Sequence, residues 1–258
     1  MVMAIGEGTK MEFTIGEVLS ERMNDGNIKT VYGVKELPGL YLSEDNIARL
    51  KISPVVDSTT SAAVEGNGRI FIPIGQVDPG MVVKTKEGMK LQVLDNCYGE
   101  CGDVFCITRD ILFKKAFDED NCNDWRKSSL RKYLNGEFFE QLPFADKLIS
   151  FKRDLTSDDG LKDYGICIDT VSLINDDEYR RYRYQISNKE NKDGWGWWTV
   201  TPYSTPDSGH SNYARGVYSD GSRGNDNAYY GNCGVSPAFV LLPSFEVELV
   251  SSVDEEEG

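Results

Sequence analysis

WGWWTVTPYSTPDSGHSNYARGVYSDGSRGNDNAYYGNCGVSPAFVLLP, residues 195–243, alternates short apolar runs with stretches of glycine, asparagine, serine and aspartate. The first run, WGWWTVTP, and the last, VSPAFVLLP, are apolar enough to be buried strands. ARGVYSDGS and NAYYGN are further strand candidates between them. Ser219-Asp220-Gly221 and Gly224-Asn225 are turn signals, because these residues tolerate the backbone that tight reversals need. An antiparallel meander or an irregular loop cluster, held between rigid apolar ends, is the expected result.

The segment from Tyr203 to Asn232 has few aliphatic side chains and five tyrosines: Tyr203, Tyr213, Tyr218, Tyr229 and Tyr230. Hairpin turns favour glycine, asparagine, aspartate and serine, but they do not call for tyrosines. Tyrosine presents a large contact area for few frozen torsions, while serine, glycine and asparagine supply adaptable hydrogen bonds, the mixture found in antibody binding loops. The tyrosines are therefore candidate anchors of a ligand-binding face, with Arg215 and Arg223 as bidentate or stacking groups. Asp207, His210, Asn212, Asp220, Asn225, Asp226, Asn227 and Asn232 complete its polar part. Trp195, Trp197 and Trp198 are expected in or near the core.

Upstream, PGMVVKTKEGMKLQVLDN places two β-like runs around Lys86-Glu87-Gly88, a hairpin signal, and VFCITRDILF continues the β character. NDWRKSSLRKYLNGEFFEQL then spaces Trp125, Leu130, Tyr133, Leu134, Phe138 and Leu142 at three- and four-residue intervals. That spacing predicts an amphipathic helix, with Asp124 able to cap it. YGICIDTVSLI suits a buried strand before the polar NDDEYRRYRY. Helices and strands mixed without βαβ alternation indicate an α+β domain over 79–248.

Residues 1–78 read as a separate attachment or assembly segment, or else a peripheral lobe. SEDNIARLK opens on Ser43 as a helix cap, and RIFIPIG is a β-like run whose proline fits an edge or a strand end. Residues 249–258, ending DEEEG, are expected to be a solvated acidic tail.

The chain has 258 residues, 40% of them hydrophobic, enough for one large core with a smaller appendage. A formal charge of −14 repels phosphate backbones and anionic membranes, and only RRYRY at 180–184 offsets it locally, so no nucleic-acid partner is expected. The start lacks the basic and apolar regions of a secretory signal, and no run reaches the roughly 18 apolar residues of a span, so membrane insertion is not expected.

Six cysteines are too sparse for a disulfide scaffold. Cys97, Cys101 and Cys106 lack zinc-site spacing and are expected as buried thiols. DEDNCND at 118–124 lacks the glycine and glutamate of an EF-hand and reads as an acidic helix start or a solvated loop. No glycine-rich phosphate motif occurs, and no spacing ties His210 to a catalytic partner. No cofactor, metal or catalytic residue is expected. Because carboxylates are abundant, a glycan-modifying or hydrolysing enzyme is the competing reading.

Four ordered pieces carry a resemblance: Trp125-x-x-Ser128-x-Leu130-Arg131-x-x-Leu134-Asn135-x-x-Phe138; Asp169-x-Val171-x-Leu173-Ile174-x-x-x-Glu178; Trp197-Trp198 before Pro202; and Gly234-Val235-x-Pro237-Ala238. Together, over roughly 80–243, they resemble an uncharacterised domain family of bacterial and phage proteins reading W-S-LR-LN-F, D-V-LL-E, WWLRSP and GVRPA. That family is similar to C-type-lectin-like and formylglycine-generating-enzyme-like folds. Val200 and Ser236 stand where the family usually has arginine, which implies a repacked local site. Formylglycine-generating chemistry needs reactive cysteines late in the domain, where only Cys233 lies.

The resemblance implies a C-type-lectin-like domain with its ligand surface on the late loops. The function it implies is non-enzymatic recognition of a bacterial cell-surface protein or glycan, by a receptor-binding or head-decorating protein of a phage virion. Residues 1–78 would join other virion proteins, and a homo-oligomer is expected because many copies amplify weak sites. The late-loop composition also matches what adenine-directed codon diversification by a retroelement yields. A structural virion assembly protein and a cytoplasmic location are the alternatives.

Overall fold

The computed structural model describes residues 71–99, 102–192 and 194–250 in full, and ahead of them only the backbone of short extended segments. Contacts divide the chain into Met1–Ser61 and Ala62–Gly258. In the first unit β1 (Ile15–Arg22), β2 (Ile28–Val34) and β3 (Tyr41–Ser43) form an antiparallel three-stranded sheet. Ser43 closes β3, and the helix expected after it lies outside the described residues.

The second unit opens with β4 (Ala63–Val64) and β5 (Ile70–Pro73). Pro73 is the last residue of its strand, where its missing N–H breaks no ladder. Sequence reading assigns this stretch to the attachment segment, yet β5 pairs with residues 246–248 and Ile74 is fully buried, so it belongs with the larger unit.

β6 (Val82–Lys84) and β7 (Lys90–Tyr98) form the expected hairpin, and Gly88 takes the positive φ of 95° that its turn requires. β8 (Asp103–Thr108) pairs back onto β7, and the chain bends into β9 (Phe113–Lys114).

The long amphipathic helix expected over 124–142 is much shorter. Turns occupy 125–127, and α1 covers only Ser129–Tyr133, capped by the Ser128 hydroxyl rather than by Asp124. A wide π-type turn, Leu134–Phe138, comes next, and Gly136 breaks it with non-helical angles (φ −115°, ψ −108°). Trp125, Leu130, Leu134 and Leu142 are still buried as their spacing predicts.

β10 (Leu148–Ile149), β11 (Phe151–Asp154), β12 (Ile166–Asp169) and β13 (Val171–Ser172) come next. YGICIDTVSLI is therefore two strands. Ile166 and Ile168 face outward on the β11–β12 ribbon, while Tyr164, Asp169 and Val171–Ile174 enter the core.

α2 (Asp176–Tyr182) occupies the stretch read only as polar. Its signal was a capping box: Asn175 Oδ1 accepts from the Glu178 N–H at 2.7 Å, and the Asn175 N–H donates back to Glu178 Oε2 at 2.8 Å.

The C-terminal third supplies β14 (Gly196–Pro202), β15 (Tyr213–Tyr218), β16 (Arg223–Asn227), β17 (Gly234–Val235), β18 (Ala238–Leu241) and β19 (Glu246–Leu249). β14, β15 and β16 are the expected antiparallel meander, reversing at Ser219–Gly221. Gly224-Asn225 lies inside β16 rather than in a turn, and of NAYYGN only Asn227 belongs to a strand, the rest being a turn. The acidic tail begins later than expected, since Leu249 still belongs to β19; residues 251–258 lie outside the described ones.

Two sheets share the core. A nine-stranded sheet runs β10-β18-β8-β7-β6-β19-β5-β4, with β13 also on β18. A five-stranded sheet runs β16-β15-β14-β17-β9, in which β14 and β17 are parallel. Strands thus dominate among the described residues, with two short α-helices, a mixed α+β architecture. Trp198, Phe117 and Trp125 interlock in edge-on and tilted contacts, with centroids 5.3 and 5.8 Å apart.

Two of the connections between the sheets, β8–β9 and β17–β18, are bolted together at one corner. The Thr108 N–H donates to the Pro237 carbonyl at 2.9 Å, and the Thr108 and Ser236 hydroxyls are 2.8 Å apart. The buried ammonium of Lys189 donates to the carbonyls of Thr108 (2.5 Å) and Arg109 (2.8 Å). The Thr108 carbonyl also accepts from Ser236 Oγ at 3.1 Å, so a cation brought in from elsewhere stands beside Ser236.

Candidate functional site

β-strand pleating sends alternate residues of the meander to opposite faces. On one face lie Tyr213, Arg215 and Val217 of β15, opposite Asn227, Asn225 and Arg223 of β16. On the other lie Ala214, Gly216 and Tyr218, opposite Asp226 and Gly224. The first face brings together most of the residues the sequence selects.

At its upper end Tyr203, His210 and Tyr213 form an aromatic triangle, with ring centroids 5.8, 6.2 and 6.4 Å apart. The Arg215 guanidinium sits 5.8 Å from the Tyr203 ring centroid. Tyr203 and His210 are exposed and Tyr213 half-buried, so the rings present an open platform. Beside it Asn212 donates to Asn227 Oδ1 at 2.9 Å, and Arg215 Nη1 donates to Asn225 Oδ1 at 3.3 Å. Asp207 is exposed on the neighbouring turn, Pro206–Ser208.

The platform's arginines are immobilised from below. Asp176, buried at the start of α2, takes Arg223 Nε at 2.8 Å and Thr199 Oγ1 at 2.9 Å, with Arg215 Nε 3.5 Å away. Asp158 pairs with Arg223, with Arg215 Nη2 at 3.6 Å and with Arg180 Nη2 at 3.2 Å. Arg223 is locked by charge-assisted hydrogen bonds, and Arg215 is held by its bond to Asn225 and by the charge of both carboxylates, so the face needs little ordering when something docks on it.

The other selected residues are placed elsewhere. Tyr218 lies on the opposite face, packed edge-on against Trp195 (5.0 Å) and flat on Gly224, where any Cβ would fall within 2.5 Å of its ring. Asp226 is on that same side, and burial raises its carboxyl pKa. Asp220 is spent on its own turn, accepting from the Ser222 N–H at 2.8 Å and hydroxyl at 2.6 Å. Tyr229 and Tyr230 form a separate exposed ring pair, 4.6 Å between centroids, on the turn that also exposes Asn232.

Sequence reading missed three buried polar residues, of which Asn123 holds the site. DEDNCND is not a solvated loop, because Asp118, Asn123 and Asp124 are buried. Asn123 directs its amide nitrogen at the carbonyls of Ser204 (2.8 Å), His210 (3.2 Å) and Tyr213 (2.7 Å), and its Oδ1 accepts from the Tyr164 hydroxyl at 2.7 Å. Asp118 accepts from the N–H groups of Asp120, Cys122 and Ser129. Asp124 pairs with Arg126 through both oxygens, at 2.9 and 2.8 Å. Acidic and amide residues pinning backbone look the same in sequence as a solvated loop.

The resembling motifs form polar pins. Asp169, buried, accepts from Trp125 Nε1 (2.7 Å), Arg131 Nε (2.6 Å) and Ser172 Oγ (3.0 Å). Glu178 takes the fully buried Arg153 in a bidentate pair at 2.7 and 2.6 Å. Asn135 accepts from the N–H groups of Thr170 and Val171. Val200 is buried aliphatic core.

Of the thiols, Cys106 is buried as expected and Cys233 is buried as well, burial raising the pKa of both, whereas Cys97 is exposed, contrary to expectation, and Cys101 lies outside the described residues. Among the described residues no three His, Cys, Asp or Glu side chains converge to hold a metal ion, and no helix is long and apolar enough to cross a membrane.

Residues 154–243 match a family described as Domain of unknown function (DUF6273). The span includes α2 and the whole meander, while the Trp125–Phe138 piece lies ahead of it. No curated protein and no solved structure matches the chain.

Proposed function

We propose that the protein is a non-enzymatic recognition protein, a C-type-lectin-like domain that grips a bacterial surface protein or glycan through the face built on β15 and β16. The observation that carries this reading is the Tyr203–His210–Tyr213 triangle. Tyr203 and His210 are exposed and Tyr213 is half-buried, while the arginines beside them are pinned by Asp158 and Asp176. Rigid aromatic anchors flanked by pre-ordered arginines are the composition of binding hot spots. The setting we favour is a phage virion, with the separately compact Met1–Ser61 unit as its connection to other virion proteins.

Hydrolysis of a glycan would call for one carboxyl kept protonated and a second facing it. The late-loop carboxyl that burial raises, Asp226, points to the other side of the sheet from Asp158 and Asp176. The site geometry therefore favours gripping over cleaving.

The test is adsorption of the full-length protein to a panel of bacterial cells. Replacing Tyr203, His210 and Tyr213 together by alanine should weaken binding by at least about thirtyfold, the equivalent of one anchor residue lost. Replacing Tyr229 and Tyr230 should have a much smaller effect. Unchanged adsorption of the triple variant, with its unfolding midpoint preserved, refutes the reading.

A further inference from the structure

The ion-pair network under the platform also forms one wall of a cleft of about 460 Å³ between the loop after β11 and the start of α2. That volume falls within the roughly 300–1,000 Å³ of small-ligand sites. The cleft is tied to the platform. The Asp158 N–H donates to the Pro202 carbonyl at 3.0 Å and the Ser204 hydroxyl to Asp159 at 2.5 Å, so the loop is held to both neighbours of Tyr203. Thr201 lines the cleft, and the ring of Tyr203, 36% exposed, meets the Arg215 guanidinium that pairs with Asp158 of the cleft wall, which sets the ring beside the cleft as its rim.

The charge inside is balanced. Asp154, Asp158, Asp176 and Asp177 line the cleft. Lys162 and Arg180 line it too, while Arg215 and Arg223 pair with Asp158 and Asp176 from behind. Four carboxylates thus meet four cations, in a protein whose formal charge is −14. An anion would find no net attraction in the cleft and repulsion from the rest of the surface. A cation would find its carboxylates already engaged.

A neutral molecule dense in hydroxyls suits such a lining, because each hydroxyl donates to a carboxylate while accepting from an ammonium or guanidinium. The exposed ring at the rim adds a surface for an apolar C–H face. We infer that the cleft and the Tyr203 rim together bind a neutral saccharide. The assignment rests on the recognition reading above and narrows its partner to a glycan without acidic sugars.

The test uses full-length protein, saturation-transfer NMR and calorimetry. Maltotriose, mannotriose, lactose and the N-acetylglucosamine trimer are the neutral probes, and trigalacturonate is the acidic one. At least one neutral probe should bind saturably and trigalacturonate should not. The double variant Lys162→Ala/Asp177→Ala removes two exposed lining groups and should weaken that binding by about tenfold, as lost charge-assisted hydrogen bonds do. Its unfolding midpoint should match the parent.

The inference is overturned if no neutral probe binds, if only trigalacturonate binds, or if the correctly folded double variant binds as the parent does. Cell adsorption, measured on the same preparation, separates the two levels. Adsorption that persists without saccharide binding defeats the sugar assignment and leaves recognition standing. Saccharide binding without adsorption upholds the sugar site and counts against recognition of those cells.

Discussion

Asn123 donates its side-chain amide to the carbonyl of Tyr213 at 2.7 Å, a residue 90 positions further along the chain. The same amide faces the carbonyls of Ser204 and His210, so one buried side chain holds the backbone of the loop that presents Tyr203, His210 and Tyr213. Asn123→Ala would take one donor from those three carbonyls and leave the buried Tyr164 hydroxyl without its acceptor, at a cost of about 1–3 kcal/mol. Hydrogen exchange should quicken selectively over residues 204–213. Uniform protection across that loop would show that Asn123 does not position it.

Asp169 joins Trp125, Arg131 and Ser172 inside the core. Asp169→Ala strands the half-buried Arg131 guanidinium and the buried indole N–H, and should cost about 3–5 kcal/mol in urea unfolding. The change should also alter fluorescence from Trp125, whose indole N–H loses its acceptor. A loss below about 1 kcal/mol would mean that the cluster is not a stabilising pin.

Lys189 carries a pH signature. Burial, reinforced by the Arg109 cation, lowers its pKa to about 7, against about 10.4 for an unfolded lysine. Between those values the unfolded chain holds the extra proton, so this residue's contribution to stability rises with pH across that window. Below about pH 7 both states are protonated and the burial penalty is constant. The stability of the parent relative to Lys189→Met should therefore increase from about pH 7 to about pH 9, by at most about 1.4 kcal/mol per pH unit. A difference that is flat with pH would show that the ammonium is not desolvated at this corner.

Thiol reactivity should sort by burial. Cys97 should alkylate in the native protein, while Cys106 and Cys233, buried and raised in pKa, should react only on unfolding. Cys167, raised to about 11 by burial and by the Asp169 carboxylate, should react slowly. Mass spectrometry of timed iodoacetamide labelling reads the order directly, and early labelling of Cys106 or Cys233 would contradict it.

Much of the fold was legible from local chemistry. The Lys86–Gly88 reversal, the β14–β16 meander and the burial of Trp197 and Trp198 stem from turn residues and apolar periodicity. The features that escaped sequence reading depend on distant partners or on single residues. The long helix is cut short at both ends: it starts late because Ser128 caps α1 from within the pattern, and Gly136 breaks the next turn, and both residues are ordinary in a helical stretch. α2 was readable from Asn175 and Glu178, but the charged and aromatic residues around them disguised it. In the site, composition selected the right segment without telling its two faces apart. Tyr213 and Tyr218 have similar neighbours in sequence, and strand register alone sends one to the open platform and the other against Trp195. Asn123 and Asp176, which hold that platform, come from outside the segment altogether.

β17 returns to lie parallel to β14, with Gly234 beside Trp197, so the excursion that carries β15 and β16 starts and finishes on neighbouring strands. Ala214, Val217 and Ala228 root that excursion in the interior, whereas Tyr203, His210, Tyr229 and Tyr230 stand outside it. A lineage under pressure to switch targets has those outer positions to rewrite while the buried roots stay fixed.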